Sequence, residues 1–153
     1  MSLKKKRKRF KSKSAETKEI LAERLNKVCT FLDSAYDINA GGCCYVAYCF
    51  AKLLEQDNMK YKIVVYEDYK IGGTFNQLSV SHYHYAIALG KAIINPMDDD
   101  TFVINKYQVS SSDILKHYNR KSWNDCYDTS KNLFINRILK NFYYDLTEDL
   151  REN

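Results

Sequence analysis

Apolar residues recur at three- and four-residue spacing along the first third of the chain, and in the middle third that spacing gives way to alternation. Ile20, Leu21, Leu25, Val28, Cys29, Phe31 and Leu32 form one helical stripe, opened by Ser14 as N-cap with Glu16 and Glu19 close behind. The pattern predicts a helix from Ser14 that ends near Asp37 to Asn39. A second helix, from Cys43 to about Gln56, carries Val46, Cys49, Phe50, Leu53 and Leu54 on one side and stops at Gln56-Asp57-Asn58. Tyr61 to Glu67 and Leu78 to Leu89, rich in β-branched and aromatic residues, read as strands separated by a loop at Gly72-Gly73. Gly90-Lys91 before Ala92 to Asn95 reads as a hairpin with a two-residue turn, and Pro96 ends the pairing. Thr101 to Asn105 is a further strand. Ser111 or Ser112 caps a short helix through Tyr118, and Asn119 to Thr129 is a loop with Trp123 as a packing anchor. From Ser130, the positions Ile135, Ile138, Leu139, Phe142 and Leu146 predict a last helix with a frayed acidic end. Helices before and after a run of antiparallel strands make the expected class α+β, with N-terminal helices packed on a sheet and a C-terminal helix.

Composition narrows the picture. A chain of 153 residues, 45% hydrophobic and 28% charged, is the size of one globular domain with a real core. No apolar run approaches the roughly 20 residues that span a bilayer, and the basic N-terminus lacks a following apolar segment. No membrane is expected, and a cytoplasmic or virion-associated protein is. Five cysteines, with no paired zinc spacing, point to reduced thiols and to no cofactor. The wealth of tyrosine, asparagine and lysine fits an AT-rich coding source such as a phage or a low-GC bacterium.

The formal charge of +5 is unevenly held. Lys4, Lys5, Lys6, Arg7, Lys8, Arg9, Lys11 and Lys13 lie together with no acid among them, while the other 16 Lys and Arg face 19 Asp and Glu, a net of −3. The predicted division is a basic disordered tail over residues 1–13 and a single domain over 14–153. Lys4 to Arg9 make a candidate nucleic-acid-binding segment that would contact phosphates without reading sequence, and a solubilising tail is the other reading.

Candidate chemistry centres on Gly41-Gly42-Cys43-Cys44, where a glycine turn runs into the second helix. A thiol at a helix N-terminus lies among unsatisfied N–H groups and the positive end of the helix dipole, which favour the thiolate. Packing alone is the competing reading, since cysteine is among the most buried residue types. Across a two-residue turn at Gly90-Lys91, partners sum to 181, so Ala86 faces Asn95 and His84 faces Met97. His82, His84, Ala86, Asn95 and Met97 then share a sheet face, with His84 and Asn95 diagonal neighbours. A histidine oriented by an amide and set against a helix-capping thiol is the equipment of acyl transfer.

In this order, Gly41-x-Cys43-x-x-x-Ala47 on a helix, His84 on a strand and Asn95-Pro96 after a short hairpin, the chain resembles the transglutaminase-like and papain-like cysteine peptidase superfamily. The resemblance covers Asp37 to Met97. It implies Cys43 as nucleophile, His84 as general base and acid, Asn95 as orienting residue, and a peptide or protein substrate. No tryptophan follows His84 in a His-x-Trp pattern, and no glutamine precedes Cys43 at the papain-like distance, which leaves Asn39 or backbone amides to supply the second oxyanion donor. Cys44 is the rival nucleophile and His82 the rival base. A zinc site of His82, His84, Cys43 and Cys44 has suitable ligand types but lacks the spacing. Asp98, Asp99 and Asp100 read as a solvated turn, and His117 as a surface histidine. A transamidase is the nearest enzymatic alternative. A structural or nucleic-acid-associated protein, with the basic tail on a non-catalytic papain-like fold, is the alternative outside enzymes.

Overall fold

The Ser14 Oγ accepts a hydrogen bond from the Thr17 backbone N–H at 3.3 Å, and the first helix, α1 (Ala15–Tyr36), follows. The computed structural model describes residues 8–36, 38, 43–70, 80–96, 103–109 and 129–153. After α1 come α2 (Cys43–Gln56), β1 (Lys62–Lys70), β2 (Val80–Leu89), β3 (Ala92–Ile94), β4 (Val103–Val109) and α3 (Thr129–Thr147), which runs into a 3₁₀ turn, Glu148–Leu150. The class is mixed α+β. The Gly41-Gly42 turn, Asn39, the Gly72-Gly73 loop, Met97, Asp98 to Asp100, the short helix with His117, and the Trp123 loop lie outside the described residues.

The four strands lie antiparallel in the order β3-β2-β1-β4. Gly90 takes φ 59° and Lys91 stays at negative φ, the sign pattern of a type II′ turn, and Leu89 pairs with Ala92 as the two-residue turn requires. Alternation then divides the sheet. Ile63, Val65, Tyr85, Ile87, Leu89 and Ile94 join the helices in the main core, whereas Val64, Tyr66, Ala86 and Ala88 form a second buried cluster on the other face. Between sheet and helices, α2 is buried nearly all round, and it packs on β2 and α3 while α1 packs on β3 and α3. No helix among the described residues is long and apolar enough to cross a membrane.

Two expectations at the chain ends need correction. Phe10, placed by sequence in a disordered tail, is 5% exposed and bridges Arg151 as a short antiparallel pair. Lys11 N–H donates to Leu150 O at 2.9 Å and Glu152 N–H to Arg9 O at 2.8 Å. The folded domain therefore begins by residue 8, because one aromatic side chain and a short ladder offset the repulsion of the flanking cations. Nor does the C-terminal helix fray. Arg151 forms a bidentate pair with Asp57, at 2.8 and 2.9 Å, with both side chains under a tenth exposed. Thr147 Oγ1 accepts from Arg151 Nε and Nη2, Lys8 O accepts from Nη1, Tyr143 Oη donates to Asp57, and the guanidinium lies 4.5 Å over the Phe10 ring. Asp57 is held for this by a Schellman turn: Met59 N–H donates to Leu54 O, Asn58 N–H donates to Glu55 O, and Asn58 takes φ 53°.

Candidate active site

Cys43 is the first residue of α2, as the pattern predicts, and its side chain is 4% exposed within the main core. Cys44 beside it is buried as well. Cys29 and Cys49 lie inside helices, where the largest influence on the thiol is burial. It pushes each thiol from an ordinary 9.0 up to about 12, with Asp33 adding to the rise at Cys29 and a hydrogen bond from Tyr45 opposing it at Cys49.

His84 is half-buried on β2, opposite Tyr66 of β1, with the two rings 5.9 Å apart. Its neighbours by alternation are Ala86 and Ala88, so it belongs to the sheet face turned away from the helices. The β2–β3 ladder ends at Ile87 and Ile94, and the chain turns off at Asn95. Cys43 thus lies in the core on the helix side of the sheet and His84 on the opposite face. His82 lies on the same strand, two residues before.

The structure brings His84 and Asn95 together through a different atom from the one expected. His84 Nε2 lies 2.7 Å from the backbone carbonyl of Asn95. The sequence reading gave the role to the side-chain amide. A carbonyl only accepts, so in the neutral ring the proton sits on Nε2 and Nδ1 is the basic nitrogen. Asn95 is 8% exposed and takes φ 59°, a left-handed conformation that costs an ordinary side chain roughly 1 kcal/mol and asparagine less. Asn26 of α1 holds this turn, accepting from Asn95 N–H at 2.6 Å and donating to Ile93 O at 2.9 Å.

Asn26 escaped the sequence reading, although one signal was present: it is a polar residue set among Ala22, Leu25 and Cys29 on the buried side of α1. Among the described residues no group of three His, Cys, Asp or Glu side chains stands close enough to hold a metal ion. Of the candidate phosphate-binding residues, Lys8 and Arg9 are exposed beside the buried Phe10, and Lys4, Lys5, Lys6 and Arg7 lie outside the described residues. Comparison with known proteins adds no neighbour: no family model, no curated protein and no solved structure matches the chain.

Proposed function

We propose that this chain is a thiol-dependent amide hydrolase with a papain-like or transglutaminase-like core, most simply a cysteine peptidase. Cys43 is the nucleophile, His84 the base and then the acid, and Asn95 the residue that orients the imidazole. The observation that supports this best is the hydrogen bond from His84 Nε2 to the Asn95 carbonyl, because it leaves Nδ1 as the proton acceptor. In the reaction, Cys43 Sγ–H passes its proton to Nδ1 and the thiolate adds to the amide carbon. The imidazolium then protonates the departing amine, leaving a thioester. Water, deprotonated by the same nitrogen, releases the acid and restores the thiol. An amine in place of water would make the chain a transamidase. The substrate is a peptide or protein.

The test compares wild type with Cys43→Ala and Cys44→Ala, following both hydrolysis of an unfolded protein substrate and the rate of alkylation by iodoacetamide. Cys43→Ala is expected to abolish hydrolysis and the fast alkylation, and Cys44→Ala to keep both. Equal hydrolysis and alkylation in Cys43→Ala and wild type would remove the nucleophile and the proposal with it.

A second reading concerns the basic leader. Lys8, Arg9, Lys11 and Lys13 are exposed on a segment that Phe10 fixes to the domain, so they form a cationic rim, and Lys4 to Arg7 precede it in the sequence. A rim of this kind attaches the domain to nucleic acid by phosphate contacts. Exchanging Lys4, Lys5, Lys6, Arg7, Lys8 and Arg9 for glutamine, with Phe10 kept, is expected to abolish DNA retention at low salt. Retention equal to wild type would end this reading.

A further inference from the structure

We infer that Asn26 is a positioning residue for His84, acting through the backbone of residue 95 and not by touching the ring; the inference rests on the proposed role of His84. Within β3, Ala92 and Ile94 pair with Leu89 and Ile87 of β2. Ile93 O and Asn95 N–H point the other way, off the edge of the sheet, where a further strand would meet them. One side-chain amide takes that place: Asn26 Nδ2 donates to Ile93 O at 2.9 Å and Oδ1 accepts from Asn95 N–H at 2.6 Å. A primary amide presents a donor and an acceptor in one plane, as a peptide group of a neighbouring strand does. It thereby closes the edge against foreign strands.

The clamp also fixes orientation. Residue 95 sits at φ 59°, and rotation about that backbone sets where its carbonyl points. With the N–H of residue 95 and the carbonyl of residue 93 both held by α1, the Asn95 carbonyl is directed at His84 Nε2, 2.7 Å away. Asn26 is half-buried at the side of an open groove between α1 and β3, so its removal leaves room for the turn to relax. Residue 95 then returns to negative φ, its carbonyl swings off the ring, and the imidazole distributes its proton over both nitrogens.

The experiment uses the full chain with ¹⁵N-labelled histidine, as wild type, Asn26→Leu and Asn26→Asp, the His84 signals being assigned with His84→Gln. Ring-nitrogen shifts report which nitrogen carries the proton, a quantity that loss of packing alone does not change. Wild type is expected in the Nε2–H form and Asn26→Leu in a mixture of tautomers, with hydrolysis down about tenfold, a part of the roughly 10²–10⁴-fold that a general base contributes. Asn26→Asp keeps the acceptor for Asn95 N–H and is expected between the two. Should Asn26→Leu fail to fold, Asn26→Asp decides the matter alone. A folded variant that keeps the wild-type tautomer overturns the inference. Absence of hydrolysis in wild type would instead strike the proposed function, and the tautomer comparison would still decide what Asn26 does.

Discussion

Two polar networks tie distant parts of this chain together, and they are built to opposite specifications. The clasp joins Asp57, Tyr143, Thr147 and Arg151 with the carbonyl of Lys8, under a tenth of its ion pair exposed and every guanidinium nitrogen bonded. The second network joins Asn26, Ile93, Asn95 and a half-buried His84 through amide groups and an imidazole. Each contains an asparagine in the left-handed conformation, Asn58 beside the clasp and Asn95 in the other. A buried charge that is fully paired locks a fold, since breaking it strands its partner. Amide groups bonded to an imidazole hold the orientation of a side chain whose ordinary chemistry is proton transfer. The difference separates the part that maintains the structure from the part proposed to do chemistry.

The largest effect is expected from breaking the clasp. Arg151→Ala leaves Asp57 buried without its cation and should lower unfolding free energy by about 3–5 kcal/mol in urea titration. If the networks are separate, the alkylation rate of Cys43 in the folded fraction stays at the wild-type value. Phe10→Ala comes next, at about 3 kcal/mol for a buried aromatic that also underlies Arg151. Deleting residues 1–13 should cost at least as much, whereas a dispensable tail would cost nothing.

The thiols sharpen the comparison by pH. With pKa values raised to about 12, Cys29 and Cys49 are neutral at pH 8, with thiolate fractions on the order of 10⁻⁴. Mass spectrometry after brief iodoacetamide treatment of the native protein should find Cys43 modified and these two unmodified. The same shifts bear on stability. Each folded value lies above the ordinary 9.0, so the contribution is complete below that pH and is lost as pH rises from 9.0 towards about 12. Replacing both with alanine should flatten this alkaline decline, and an unaltered decline would place its cause elsewhere.

How far the sequence carried the fold depended on the range of each interaction. The bounds of α2 and the pairing sum of 181 in the β2–β3 hairpin follow from neighbours a few residues apart, and both stand in the structure as read. The clasp was illegible because its charges are 94 positions apart, and nothing local distinguishes Asp57 or Arg151 from any other surface charge. Phe10 was hidden by its eight cationic neighbours, whose repulsion argued for disorder. Within the candidate site the sequence made His84 and Asn95 neighbours but did not show the atom that joins them. A residue type announces its side chain, and the backbone carbonyl of residue 95 is directed by a conformation that Asn26, 69 positions away, helps to hold.

That distinction yields the prediction with the smallest expected effect and a direct bearing on the site. Asn95→Gly removes the amide that the sequence reading made the orienting group, yet keeps the carbonyl and places at φ 59° the one residue that adopts it without steric cost. If the carbonyl orients His84, the ring stays in the Nε2–H tautomer and hydrolysis changes less than about twofold. Asn58→Gly, in the same conformation beside the clasp, should shift stability by only a few tenths of a kcal/mol, glycine's extra chain entropy offsetting the relieved strain, and touch neither tautomer nor rate. A loss of hydrolysis in Asn95→Gly with the tautomer intact would give the amide a role of its own, at the substrate instead of at the histidine. A loss of both would return the orienting role to the side chain and separate the Asn26 clamp from the imidazole.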